Sequence, residues 1–411
     1  MLASILLASL LLAQPASLDV KPQPDAPAAA PATSTPRDIS DLLAPLIAKH
    51  AIPGMAAAVV LDGKIIAVGA SGIRELGKPE AVTTGDLWHL GSCTKAMTGT
   101  LAAVMIEKKE IAWETTLADV FPDVAMKDAW KAVTLRQLLT NRSGAPTSLD
   151  EGGLWAKLWD FKGTPTEARL ALLAGVVASE PQAAPGSKFI YSNAGFAIAG
   201  AMLEKKSGKS WEDLIQTRLF QPVGITTAGF GAPGDAKTVS QPRGHRNGKA
   251  FPPGPGADNP PAIAPAGTVH MSIADWARFA ALHADAQAAI KNPSDSPALR
   301  LLPASAWARL HEPYPAASDK DANRYAAGWG VATRSWAKGT SPADTGLVLT
   351  HSGSNTMWHC VTWIAPERRF AIVVACNLGD GQAAKGNDAA CGALIQEFLV
   401  KPSKKDSSPP R

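Results

Sequence analysis

Strand-like apolar runs stand at both ends of this chain, with helical patterns between them, and that split limits the folds open to it. Residues 55–61 and 64–68 are joined by Asp62-Gly63, a pair suited to a tight β-hairpin turn. Residues 346–350, 357–364 and 370–376 form three further runs, the last two linked by Pro366-Glu367-Arg368-Arg369. One antiparallel sheet assembled from both chain ends follows. A terminal helical stretch with Ala390, Leu394, Ile395 and Phe398 at helical spacing is placed to cover one face. Near the start, Ile39, Leu42, Leu43, Leu46 and Ile47 also repeat at helical spacing, and Pro45 among them is expected to kink or shorten that helix.

Residues from about 100 to 260 are mainly helical patterns broken by Gly and Pro loops, with examples at 134–139, 167–177 and 196–206. The fold class expected is α/β of the α+β type: a sheet lobe of residues 38–91 and 261–400 and an all-helical lobe of residues 92–260. The Pro-rich run Phe251-Pro252-Pro253-Gly254-Pro255-Gly256 marks the return to the sheet. No fixed-period repeat is visible.

Residues 1–13 are apolar and too short to span a bilayer, and with the small residues up to about 18 they read as an export signal, although no Lys or Arg precedes the apolar run. The expected location is periplasmic or secreted, with no membrane span once the signal is removed. Residues 19–37, rich in Pro, Ala, Ser and Thr, read as a flexible tether, and 401–411 as a flexible tail. Lys plus Arg number 40 against 36 Asp plus Glu, a surplus too small to point to a nucleic-acid partner. Four cysteines in 411 residues make no disulfide framework, and Cys93, Cys360, Cys376 and Cys391 are expected as free, mostly buried thiols.

The chemistry is concentrated in three short motifs, Ser92-Cys93-Thr94-Lys95, Tyr191-Ser192-Asn193 and His351-Ser352-Gly353. A serine hydroxyl is a poor nucleophile at neutral pH and needs a proton acceptor within hydrogen-bond reach. Lys95 stands one helical turn after Ser92. The uncharged, apolar residues 96–106 that follow describe a buried helix. A lysine in the first turn of such a helix is desolvated and sits at the positive end of the macrodipole, and both effects lower its pKa toward that of a usable base.

With these motifs in this order, the sequence resembles the serine β-lactamase and penicillin-binding-protein-like hydrolases, in the branch of class C β-lactamases, D-aminopeptidases and related esterases. The resemblance runs from about residue 38 to about residue 400. It also includes Ile52-Pro53-Gly54, residues 138–144 (Leu-Leu-Thr-Asn-Arg-Ser-Gly), Pro185-Gly186, Pro265-Ala266-Gly267 before Asp275-Trp276-Ala277-Arg278-Phe279, and Gly328-Trp329-Gly330. A lone S-x-x-K is a weak signal; the ordered set is specific. The resemblance implies catalytic roles for Ser92, Lys95 and Tyr191, the tyrosine exchanging a proton with the serine oxygen and the leaving group. It implies that Asn193 bonds the lysine and the substrate amide, and that the amides of Ser92 and Ser354 form an oxyanion hole. Gly353 is expected to let the strand backbone approach the substrate closely. Either Lys95 or Tyr191 could be the acylation base, since interacting groups titrate as a pair.

Two positions depart from the pattern. His351 stands where β-lactamases usually carry lysine, as in many esterase and peptidase relatives, so the expected cation for a substrate carboxylate is weaker and pH-dependent. Asn141 stands where relatives often have histidine, and is read either as part of the cleft wall that binds substrate or as a turn residue supported with Gly144. Gly229-Phe230-Gly231-Ala232-Pro233-Gly234 fits G-x-G-x-x-G, but no strand is expected before it and Pro233 blocks a phosphate-binding helix, so it reads as a loop. His351, His359 and Cys360 follow no zinc spacing, and no cofactor or metal is implied. No G-x-S-x-G elbow occurs.

The function that follows is acyl transfer: a serine hydrolase of small esters, small peptides or β-lactams through a Ser92 acyl-enzyme. The alternative is a catalytically silent relative that binds peptidoglycan fragments or a partner protein. Retention of Ser92, Lys95, Tyr191 and Asn193 together disfavours it. Short esters or small D-amino-acid peptides are the expected preference over β-lactams.

Overall fold

The computed structural model describes residues 35–291, 296–315 and 324–401. The expected leader, most of the expected tether and residues 402–411 lie outside the described residues.

Among the described residues, twelve strands form three sheets. They are β1 (Arg37–Asp38), β2 (Gly54–Leu61), β3 (Lys64–Gly72), β4 (Leu87–His89), β5 (Gly229–Phe230), β6 (Gly244–Arg246), β7 (Lys249–Phe251), β8 (Val269–Ser272), β9 (Gly330–Thr333), β10 (Leu347–Ser354), β11 (His359–Ala365) and β12 (Phe370–Cys376). The main sheet has the order β1-β3-β2-β12-β11-β10-β9. Residues from the two chain ends meet at its centre, where β2 pairs antiparallel with β12, Met55 opposite Cys376 and Leu61 opposite Phe370. A small sheet of order β4-β8-β5 and the hairpin β6-β7 complete the set.

The expected hairpin is β2-β3, and its turn places Asp62 at φ 50° and Gly63 at φ 73°, the positive angles that a two-residue hairpin requires. Every residue of β12 is buried, because both faces of the central strands are covered. Ala56, Ala58 and Val60 of β2 join Ala371, Val373 and Ala375 of β12 in a core shared with the helix Ile273–Lys291. Met55, Ala57 and Val59 join Ile372, Val374 and Cys376 in a second core. That second core is closed by Leu43 from the helix Ser40–Lys49 and by Ala390, Leu394 and Ile395 from the helix Gly381–Ile395. Alternate side chains thus go to opposite layers, as strand geometry dictates.

Several expectations need correction. The helix at Ser40–Lys49 runs through Pro45. Arg37, assigned to the tether, belongs to β1, opposite Ala67 of β3, and ion-pairs with Glu397 at 2.9 Å. The run expected at 346–350 continues through the His351 motif to Ser354. The loop expected at 229–234 begins as β5.

Between β4 and β5 lie the helices Thr94–Glu107, Pro165–Val177 and Asn193–Ser207 with several shorter ones. Thr134 opens a short helix with a capping box, its hydroxyl accepting from Gln137 N while the Gln137 side chain accepts from Thr134 N, so two amides at the helix start are satisfied reciprocally. All four cysteines are free and buried. No helix among the described residues is long and apolar enough to cross a membrane.

Candidate active site

Ser92 lies in a 3-10 turn, Gly91–Cys93, that runs directly into the helix Thr94–Glu107. Its hydroxyl caps no helix; neither helical segment has a side-chain cap. Lys95 is fully buried one turn on. Lys95 Nζ lies 3.0 Å from Ser92 Oγ, 2.7 Å from Asn193 Oδ1 and 2.8 Å from the Ala266 carbonyl oxygen. The two amide oxygens can only accept hydrogen bonds, so they fix two N–H directions. In a neutral amine, the remaining direction, toward Ser92 Oγ, is the lone pair. Burial lowers the Lys95 pKa to about 7, because desolvation penalises the ammonium form.

Ser192 caps the helix Asn193–Ser207, accepting from Gly195 N, and this places Asn193 at the first turn facing Lys95. Tyr191, immediately before, is 36% exposed, yet its hydroxyl end is desolvated. Burial pushes its pKa up to about 12, opposed by a hydrogen bond with the Ser92 side chain. The Lys95 amino group also sits 4.8 Å from the centroid of the Tyr191 ring. The three residues read as catalytic from sequence, together with Asn193, therefore converge on one point.

β10 passes over the nucleophile turn at Gly353. A Cβ on Gly353 would stand 2.0 Å from the Leu90 carbonyl oxygen and 2.9 Å from Ser92 N. The close approach present at Gly353 is that of β10 to the nucleophile turn. Gly91, at φ +47°, is packed equally tightly, its Cβ position lying 2.4 Å from Ser354 N. The backbone amides of Ser92 and Ser354 are thus held side by side at this contact.

His351 is buried with both ring nitrogens engaged. Nδ1 lies 2.6 Å from the Ser352 carbonyl oxygen, and Nε2 2.8 Å from the Tyr325 hydroxyl. The carbonyl cannot donate, so Nδ1 carries the proton and Nε2 accepts from Tyr325. Burial, with the nearby Lys95 charge, lowers the His351 pKa to about 3. The partial cation expected at this position is absent near neutral pH. Instead, the ring braces Tyr325 against β10.

Asn141 is buried, with φ 57°, and its Oδ1 accepts from Ser192 N at 3.0 Å. Its carbonyl accepts from Ile190 N at 2.9 Å. Through these two bonds it braces the tyrosine loop, which supports the turn reading. Gly144 shares the turn at φ +80°.

A cleft of about 460 Å³ opens beside these groups, lined by Tyr191, Tyr325, His351, Ser352, Val361 and Trp363 among others. Ser92 is not part of its lining. Sequence reasoning missed Tyr325, although it is one of only three tyrosines and stands just ahead of Gly328-Trp329-Gly330. It also gave no role to the Ala266 carbonyl, within a motif it had noted.

The family model described as Beta-lactamase matches residues 39–394. Penicillin-binding protein 4 of Amycolatopsis lactamdurans is 33% identical over 244 residues, 58% of this chain and 61% of that protein. A beta-lactamase of Escherichia coli (strain K12) is 31% identical over 250 residues, 60% of this chain and 61% of that protein. The matches thus span about three fifths of these relatives' length. A solved structure of SurE with D-Leu superposes with a TM-score of 0.66 at 23% identity, covering 87% of this chain and 74% of that one, which is a likeness of fold.

Proposed function

This chain belongs to the Beta-lactamase family, and from that membership we propose that it is a serine hydrolase cleaving small esters or amides through an acyl-enzyme on Ser92. The observation that carries the reading is the triple contact of Lys95 with Ser92, Asn193 and Ala266. It aims an amine with a pKa near 7 at a hydroxyl, which suits a general base working near neutral pH.

In this reading Lys95 is the acylation base. It takes the Ser92 proton as Oγ bonds the carbonyl carbon, and the carbonyl π electrons move onto an oxyanion facing the Ser92 and Ser354 amides. Collapse of the tetrahedral intermediate breaks the bond to the leaving group. Tyr191, a phenol with its pKa near 12, stays protonated at neutral pH and relays the proton from the Lys95 ammonium to the leaving atom. Water then repeats the steps on the acyl-enzyme and frees the acid. The apolar leader supports a site of action outside the cytoplasm.

His351 supports the preference for esters or small D-amino-acid peptides over β-lactams. With Nδ1 on Ser352 and Nε2 on Tyr325, it offers no cation to a substrate carboxylate. Comparing kcat/KM for nitrocefin and p-nitrophenyl acetate in the native protein and in His351→Lys tests this. Ester turnover should exceed nitrocefin turnover in the native protein, and His351→Lys should narrow the gap. Nitrocefin turnover matching ester turnover would restore a true β-lactamase. Mass spectrometry after a fluorophosphonate, and separately after a fluorescent penicillin, tests the acyl-enzyme itself; a protein unchanged in mass by both is the silent binder.

A further inference from the structure

Behind the nucleophile turn lies a buried polar set that the proposed chemistry does not use. His89 ends β4, three residues before Ser92, and is 1% exposed. Its Nδ1 lies 3.1 Å from Gly91 N, and its Nε2 2.8 Å from Asp258 Oδ1. A backbone amide can only donate, so Nδ1 is the unprotonated nitrogen and the imidazole proton sits on Nε2, donated to the carboxyl oxygen. Trp358 stacks against the ring, with centroids 5.5 Å apart.

The same Asp258 oxygen meets the other side of the oxyanion hole. Asn355 Nδ2 lies 3.4 Å from Asp258 Oδ1 and 3.1 Å from the Ala257 carbonyl oxygen. Asn355 Oδ1 in turn accepts from the amides of Met357 and Trp358, each at 3.2 Å. Gly91 immediately precedes Ser92, and Asn355 immediately follows Ser354. One carboxyl oxygen thus anchors the residues flanking both amides that face the oxyanion.

We propose that His89 and Asp258 are positioning residues that hold the two halves of the oxyanion hole in register, His89 through the Gly91 amide and Asp258 through both His89 and Asn355. The assignment rests on the serine-hydrolase reading. Asp258 selects the His89 tautomer that can accept from Gly91; the other tautomer would set an N–H against an N–H. Gly91, held at φ +47°, has its amide direction fixed by that acceptor. The positioning pair touches neither Ser92 Oγ nor Lys95 Nζ, so it acts on the stabilisation of the developing charge and not on proton abstraction.

The test uses the full chain with three variants: Asp258→Asn, His89→Phe and His89→Asn. Active sites are counted with a fluorophosphonate, and kcat and KM for p-nitrophenyl acetate are taken per active site. Asp258→Asn and His89→Phe should lower kcat by about 100-fold with KM little changed, the scale on which small misplacements at a reacting centre act. Affinity for a trifluoromethyl ketone, whose adduct carries the oxyanion, should fall in step. His89→Asn, whose side-chain oxygen can replace Nδ1 as acceptor, should recover most of the loss. Should His89→Phe melt, Asp258→Asn carries the test without a change of volume. Unchanged kcat per active site in Asp258→Asn would overturn the proposal, as would a loss shared equally by kcat, ketone affinity and folded fraction in His89→Asn. Independently of turnover, ¹⁵N NMR should find native His89 protonated at Nε2, shifting toward Nδ1 in Asp258→Asn. A native Nδ1-protonated ring overturns the positioning role alone. Failure of the fluorophosphonate to label native Ser92 overturns the hydrolase reading and the oxyanion assignment with it, while leaving the tautomer result standing.

Discussion

Gly91 and Gly353 face one another so closely that neither position has room for a methyl group: a Cβ on Gly91 would stand 2.9 Å from the Gly353 carbonyl carbon, and one on Gly353 2.9 Å from Ser92 N. The contact brings the strand that carries His351 onto the turn that carries the nucleophile. Gly353→Ala must therefore push β10 off the turn, since its nearest obstacle is the Leu90 backbone and not a flexible side chain. Overpacking of this kind costs about 1–3 kcal/mol, and separation of the two amides should lower kcat by about 100-fold. Thermal melting and steady-state kinetics on p-nitrophenyl acetate measure both effects. An alanine variant with native turnover would show that the contact does not set the oxyanion geometry.

Ser92→Ala should end covalent labelling by fluorophosphonate while leaving the fold in place. The hydroxyl caps no helix, so the loss is that of its hydrogen bonds with Lys95 and Tyr191, about 1 kcal/mol each. Intact-mass analysis and a melting curve report the two halves of the prediction. Acylation of the alanine variant at the native rate would move the nucleophile elsewhere.

The acylation rate should rise with pH through about 7 and level off above it. Burial lowers the Lys95 pKa to about 7, and the neutral amine is the form that can accept the Ser92 proton, so deprotonation switches the base on. Fluorophosphonate labelling rates from about pH 5.5 to 8.5 bracket that titration. A flat or falling profile would exclude Lys95 as the base. Lys95→Met should be slower by orders of magnitude at every pH, since residues acting as a unit are not additive.

Acid should destabilise the fold through a buried pair of histidines, remote in sequence from the motifs. His283 Nδ1 and His311 Nε2 lie 2.8 Å apart, both buried, and burial lowers the pKa of His311 to about 3 and that of His283 well below its usual value. The unfolded chain takes up these protons near pH 6.5 and the folded one does not, so the unfolded state binds more protons between the two values and stability falls as pH drops through that window. His311→Gln keeps a hydrogen-bonding side chain but removes one titration. It should flatten the acid limb of stability against pH by up to about 1.4 kcal/mol per pH unit. Urea denaturation at about pH 7 and about pH 4.5 checks it; an unchanged slope would place the proton uptake elsewhere.

The sequence alone determined what local spacing can encode. Ser92 and Lys95 are one helical turn apart, so their contact is already implied by the helix that follows, and the Asp62-Gly63 turn sets the register of the first hairpin. The continuous apolar runs at 55–61 and 370–376 mark strands of a sheet, while burial of both its faces follows only from the helices that pack on each side. Tertiary structure decided everything that depends on distant segments meeting. Asn193 and Ala266 reach Lys95 from 98 and 171 residues away, and no periodicity records that convergence. The charge of His351 could not be read either, because an imidazole's pKa depends on its surroundings. Here burial and the Tyr325 hydroxyl, brought in from a separate loop, keep it neutral. Asn141 likewise takes its role as a brace from the Ser192 amide, which reaches its side chain from 51 residues away. Covalent spacing fixes which groups share a turn, but desolvation and long-range contact fix their protonation and direction, and those arise only when the chain closes on itself.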